Sequence, residues 1–347
     1  MNVATLLGVA HCIVDFSCAL TVVSLFFFGS PAPGGYYQVV IVYNLMAFAG
    51  QPFWGWLLDR GRGYRLGIVA GFFCVGLGSL AVGVEPLPAV VLLGCGNALF
   101  HVGAGALVYS VDDGRAGAPG LFVAPGGLGL FAGMFLAPLQ LLSPLWVLPL
   151  LAVTAWVFHR FVPVVAVREL RVMQGGQKSL LPAVLVLLLV VVALRSFSGF
   201  AFSVPWKAGW QGLVCLALAS FGGKACGGFI ADRFGWRLIC SALPAVAALA
   251  ASHYDAFLPA ACLALFAFQC TTGVTLAGIQ SLFPGRPAFS FGLPCLALLA
   301  GALPFLLPQP ALQLMSTWAV IICLLAALAA WGGLTLYQTV EKGINLR

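Results

Sequence analysis

Apolar residues along this chain come in long blocks, and polar residues gather in the short gaps between them. The blocks run at about 4–28, 37–58, 66–84, 87–111, 121–142, 144–163, 180–203, 209–231, 238–252, 257–281, 288–307 and 312–337. Most approach or exceed the ~20 residues that cross the hydrocarbon of a bilayer; the ninth is the shortest. None alternates as a barrel strand does, so each must satisfy its backbone internally, as a helix. The pattern predicts an all-α integral membrane protein with twelve transmembrane helices, here spans 1 to 12. The longest gap, 164–179, divides them into a six-helix bundle at 1–163 and another at 180–347.

Composition agrees. Hydrophobic residues make up 62% of the 347 and charged residues 7%, against about 25% charged in a soluble domain. The eleven cysteines are an odd number inside apolar blocks, which reads as small packing residues rather than a disulfide framework. The start of the chain lacks a basic segment before its apolar block, which predicts no cleaved leader.

Charge then orients the spans. With the N-terminus inside, the inner gaps hold thirteen of the 16 Lys and Arg, and the outer gaps only Lys207. Excess positive charge marks the cytoplasmic side, so both termini are expected there, in the inner (plasma) membrane. The same bias accounts for the net charge of +7 without a nucleic-acid partner. Trp206 and Trp210 fit an outer aromatic belt.

Two of the inner gaps repeat a word. GWLLDRGRGYR spans residues 55–65 and GGFIADRFGWR spans 227–237, with Asp59 and Asp232 half a chain apart. Each copy follows the second span of its half, in the same orientation, as in a parallel repeat about an axis along the membrane normal. Gly55 and Gly228 would let a neighbouring helix approach. Asp59 and Asp232 would meet a helix N-terminus or an arginine of the other half, a contact able to latch one state and release in another. Arg60 and Arg233 complete the candidate latch; the alternative reading makes the basic residues topology anchors only. The first copy carries one residue more than the second, which leaves its contacts open.

These words resemble the loop signature of the major facilitator superfamily. Further pieces are similar to its fosmidomycin-resistance branch: QPFWGWLLDR at 51–60, His11-x-x-x-Asp15, GNALFH at 96–101, FVAPGGLGLFAG opening span 5, LRSFSG in span 7, and FPGRPAFSFGL between spans 10 and 11. The resemblance implies a twelve-helix transporter of two halves, proton-driven efflux of drug-like or other small molecules, and a monomer. It also implies that spans 1, 4, 7 and 10 line a central cavity. One departure stands out, for the branch follows its Phe-His with Pro-Glu and here Val102 and Gly103 follow His101.

A charge at mid-bilayer costs at least about 2.5 kcal/mol, so it normally faces a cavity and serves a function. His11 and Asp15 stack on one face of span 1; with His101 of span 4 they are the proton-coupling candidates. Asp15 is the deepest acid and the best proton carrier; its alternative is a permanent pair with Arg195. Asn97, Arg195, Gln269, Thr271 and Thr272 are the substrate-cavity candidates. Arg195 suits an anionic group or a structural partner equally, and the span 10 residues suit substrate or interhelical hydrogen bonds equally. Lys224 reads as a snorkelling, structural residue. The glycines of span 5 (Gly126, Gly127, Gly129, Gly133) allow close packing and resemble those of antiporters.

No nucleophile elbow, zinc-binding helix, phosphate loop or Cys-x-x-Cys occurs, so no cofactor, metal or catalytic residue is expected. The function expected is secondary transport of a small organic molecule, drug-like or anionic, by proton-coupled export. The alternatives are an uncoupled facilitator or importer and, remotely, a membrane-embedded enzyme whose only adjacent acids are Asp112 and Asp113.

Overall fold

The computed structural model describes residues 2–28, 35–82, 84–111, 114–163, 178–201, 205–306 and 316–345. Most of the linker 164–179, with Arg168 and Arg171, lies outside the described residues, as do Asp112, Asp113 and Arg347. Among the described residues every regular element is helical.

The first half comprises α1 (Val3–Phe28), the pair α2 (Gly35–Asn44) and α3 (Gln51–Gly61), α4 (Tyr64–Ala81), α5 (Pro86–Val111), α6 (Gly117–Leu136) and α7 (Val147–Phe161). The second half comprises α8 (Leu181–Ala201), α9 (Trp210–Phe234), α10 (Trp236–Ala251), the pair α11 (Leu258–Gln269) and α12 (Thr272–Ser281), α13 (Pro287–Leu306) and α14 (Ser316–Asn345). Among the described residues, ten helical stretches are long and apolar enough to cross a membrane. The other two crossings are α10, with 16 residues, and span 2, which is broken.

Both broken spans have local causes. In span 2 a π-helical turn, Leu45–Ala49, separates α2 from α3. Pro52 has no N–H to give to the carbonyl of Phe48, and its ring crowds that carbonyl; the ladder widens, and Gly50 N–H bonds five residues back to Leu45. In span 10 the break falls at Cys270 and Thr271. There Thr271 Oγ1 turns back onto the Phe268 carbonyl at 2.9 Å and Thr275 Oγ1 onto that of Thr272 at 3.0 Å, side-chain bonds that compete with the helical ladder.

Helices in lipid gain little hydrophobic drive from pairing, so close packing of small residues must hold them. The contact of α1 with α6 shows this. A methyl group at Gly126 would land on the His11 ring, one at Gly129 on the Cys12 carbonyl, and one at Gly133 on the Phe16 carbonyl. The glycine stripe of span 5 is therefore the bed in which α1 lies. One buried cluster gathers Leu7, Val14, Phe72, Leu93, Phe100 and Phe122 from the first half, with Phe291 of α13 reaching into it. Of two further clusters, one lies within the second half and the other joins it to Tyr109 and Ala116 of the first.

Candidate functional site

The bed under α1 positions the polar cluster. With Gly126 below it, the His11 ring lies flat enough to reach back to α6, where its Nδ1 donates to the Phe122 carbonyl at 3.0 Å. One turn along, Asp15 Oδ2 comes within 3.0 Å of His11 Nε2. From α5, Asn97 Nδ2 donates to Asp15 Oδ1 at 3.0 Å, and His101 Nε2 lies 3.6 Å from that oxygen. His101 Nδ1 donates to the carbonyl of Asn97, four residues back, at 2.8 Å. The two imidazole Nε2 atoms meet at 2.7 Å, the rings edge to face.

This geometry has a chemical consequence. A carbonyl oxygen only accepts, so each Nδ1 carries a hydrogen. In neutral rings both Nε2 atoms then present lone pairs, aimed at each other and at a carboxylate. Three acceptors converge with no donor between them, and one cation must be shared among them. A single proton on His11 Nε2 answers the need, since it faces both His101 Nε2 and Asp15 Oδ2. The ligand atoms of His11, Asp15 and His101 all lie within 4.8 Å of one another, although sequence reading names no metal. His11 and His101 are buried, and Asp15 keeps 17% of its side chain accessible.

The second half offers different chemistry. Arg195 on α8, 7% exposed, donates from Nη1 to Thr271 Oγ1 at 2.7 Å, at the break of span 10. Among the described residues the ion pairs of Asp15 are with His11 and His101, and none joins it to Arg195. Gln269 Oε1 accepts from Thr272 Oγ1 at 3.2 Å, which occupies these two with each other. Lys224 departs from its sequence reading. Rather than snorkelling to the rim, it stands in α9 against α6, its ammonium 3.2 Å from where a Gly127 methyl would sit. It is near enough to both Arg195 and Asp15 to feel their charges. Lys224 thus stands between the cluster of the first half and Arg195 of the second.

At one end of the molecule the halves are tied twice. Asp59, in the last turn of α3, accepts the backbone N–H groups of Ala288 at 3.1 Å and Phe289 at 2.9 Å, the first turn of α13. Asp232, in the last turn of α9, accepts those of Ala116 at 3.0 Å and Gly117 at 2.9 Å, at the start of α6. Each carboxylate meets the positive end of a helix dipole across the seam. The approach needs glycine, because a methyl at Gly55 would strike the Ala288 carbonyl and one at Gly228 the Ala116 carbonyl.

The extra residue of the first copy is absorbed in its turn. Arg62 takes a left-handed conformation, φ 50°, where the second copy has Gly235 at φ 100°. An aromatic at the head of the next helix then reaches back in both. Tyr64 Oη donates to Asp59 Oδ1 at 2.9 Å, and Trp236 Nε1 to Asp232 Oδ1 at 2.8 Å. Neither was singled out from the sequence, although the parallel GYR and GWR could have shown them. Arg60 lies over its own neighbour Trp56 and Arg233 over Phe234; of the six residues read as a latch, these two take no part in the crossing contacts. Trp206, read as belt, turns its Nε1–H inward onto the Tyr254 carbonyl at 2.9 Å.

No protein-family model matches the chain, and no curated protein matches its sequence. Solved structures do. The E. coli fucose:proton symporter FucP aligns at TM-score 0.67 and 12% identity, over 97% of this chain and 98% of that one. The human organic anion transporter MFSD10 aligns at 0.64 and 14%, over 97% and 98%. A bacterial homologue of the iron transporter ferroportin, in an outward-facing state, aligns at 0.55 and 15%, over 99% and 100%. Likeness along the whole length, with two crossed six-helix halves and twelve crossings, makes this a multi-pass membrane protein with the major facilitator fold.

Proposed function

We propose that the protein is a secondary transporter that moves a small organic anion by alternating access, with proton-coupled export from the cytoplasm. The crossed pair of aspartate latches carries the reading. Among the described residues, two helix N-termini are held by carboxylates of the opposite half at one end, an arrangement whose release would let the halves rock about the seam. By the distribution of basic residues that end is cytoplasmic, so this conformation is closed to the cytoplasm.

Coupling is assigned to the Asp15, His11 and His101 cluster, which needs one shared cation and keeps Asp15 partly accessible. Arg195 and Lys224 supply the charge for an anionic cargo. Export follows from the resemblance to the fosmidomycin-resistance branch. A structural neighbour is described as a proton symporter and another as an organic anion transporter, so the same scaffold serves both kinds of traffic. Flux of candidate organic anions into or out of proteoliposomes, with and without an imposed pH gradient, tests the reading. Gradient-driven flux that vanishes in Asp15→Asn supports it; flux indifferent to both removes the coupling.

One observation favours a second reading, an uncoupled facilitator or importer. Val102 and Gly103 stand where the resembling branch has a span 4 carboxylate. Wild-type flux that runs down the substrate gradient at the same rate whatever pH gradient is imposed, and that Asp15→Asn leaves unchanged, would select it.

A further inference from the structure

Outside the latches, Arg195 and Lys224, one cluster has a donor set richer than its use in proton sharing requires. We propose that His11, Asp15 and His101 form a binding site for one divalent first-row transition-metal ion of the Zn²⁺ type. The site is intramembrane and lies wholly within the first half. The inference rests on the cluster alone and does not depend on transport.

Four observations support it. The donor atoms are two imidazole nitrogens and one carboxylate oxygen, the three-ligand set that zinc takes with an open fourth position and that non-haem iron(II) takes as a facial triad. Spacing fits: separations of 2.7 Å between the Nε2 atoms, 3.0 Å from His11 Nε2 to Asp15 Oδ2 and 3.6 Å from His101 Nε2 to Asp15 Oδ1 suit an ion about 2 Å from each. A small opening of the two rings completes the geometry.

The outer partners are those a metal site has. Each histidine gives its other ring N–H to a backbone carbonyl, Phe122 for His11 and Asn97 for His101. That contact fixes the tautomer that leaves Nε2 free to ligate, and Asn97 holds the carboxylate. Finally, three converging acceptors repel one another until a cation enters, and a metal ion can take the place that a single proton otherwise fills. Asp15 keeps 17% of its side chain accessible, so the cluster is not sealed. Lys224 across the seam opposes the ion but has a flexible stem.

Binding is read on tag-free protein in detergent, stripped with chelator and dialysed, so that no affinity tag supplies histidines. Co²⁺ serves as the spectroscopic probe and Zn²⁺ as its competitor. One ion per chain is expected, with visible d–d bands, without the thiolate-to-cobalt charge transfer that cysteine ligation gives, and with displacement by Zn²⁺. His11→Gln, Asp15→Asn and His101→Gln should each weaken binding at least ~10-fold, since even outer-partner changes cost 10–100-fold. Cys12→Ser should leave it unchanged.

Zn²⁺ should also raise the unfolding temperature of the wild type by mass action and not that of Asp15→Asn. Should a variant fail to fold, the wild-type cobalt spectrum decides by its ligand type. Absence of binding in the wild type, a thiolate band, or undiminished binding in all three variants overturns the proposal. Because no flux is measured, a failure here leaves the latch reading standing, and a failure of transport leaves this site standing.

Discussion

The two halves share their crossing contacts and differ in the chemistry of their interiors. At the latch end they are near duplicates: a carboxylate, a crossing glycine, a helix N-terminus from the opposite half and an aromatic donor, offset by 232 − 59 = 173 residues on one side and 288 − 116 = 172 on the other. In the interior they part. The first half gathers an acid, an amide and two imidazoles into a cluster whose members answer one another. The second half offers Arg195, whose side chain bonds to a threonine among the described residues, with Lys224 nearby. A duplicated frame thus leaves the interior of each half free to specialise; on the proposed reading one side holds a small cation and the other an anion.

Separate losses in the two interiors would break or sharpen that contrast most. Asp15→Asn should abolish pH-gradient-driven flux while counterflow of the anion continues. Arg195→Gln should do the reverse, keeping the gradient dependence and raising KM by about 10–100-fold, the worth of a charge-assisted contact of about 1.5–3 kcal/mol. Proteoliposome flux against substrate concentration, at two pH gradients, reads both. If either substitution removes coupling and binding together, the division between the halves is wrong.

A smaller effect is expected from the bed under α1. Gly126→Ala puts a methyl where the His11 ring lies. Overpacking of this kind costs about 1–3 kcal/mol, and here it should be spent on the cluster. Coupling is expected to fall about 10-fold with KM little changed, while Gly127→Ala, whose methyl would face only the Lys224 ammonium, should leave coupling intact. Equal losses in both would show that span 5 serves packing alone.

The sequence made the frame legible and the site only in part. Twelve apolar blocks and a repeated word led to the spans and to Gly55, Asp59, Gly228 and Asp232, because burial in lipid makes every polar residue conspicuous. The spacing of His11 and Asp15 was visible for the same reason. The convergence of His101 on them was not, since it depends on how deeply α1 sinks into α6. Lys224 was misread because distance from a helix end was used where the packing of α9 against α6 decides. The break in span 10 left no proline to announce it, and the second broken span, marked by Pro52, passed as continuous because hydropathy is blind to a π turn.

Within the latches the halves should behave alike. Asp59→Asn and Asp232→Asn each replace a carboxylate that accepts two backbone N–H groups by an amide that can accept with one oxygen and turns a donor toward the rest. Each should weaken the closed end by about 1.5–3 kcal/mol, and the double variant by nearly the sum, because the two contacts share no partner. Labelling of a cysteine introduced at Ala288 or Ala116, in a background whose exposed Cys215 and Cys226 are replaced, reads the opening of that end.

The finest test lies in the aromatics. Tyr64→Phe and Trp236→Phe each delete one hydrogen bond to the same latch carboxylate that its helix N-terminus also holds, at about 0.5–1.5 kcal/mol. The carboxylate keeps its two backbone donors, so the latch should loosen without failing, and the rise in labelling should be similar for the two. A latch that opens freely on losing Tyr64 but not Trp236 would mean that the extra residue after Asp59 is absorbed at a cost, with Tyr64 compensating for a strained turn at Arg62. Matching responses would mean that the two turns, one residue different in length, deliver the same grip.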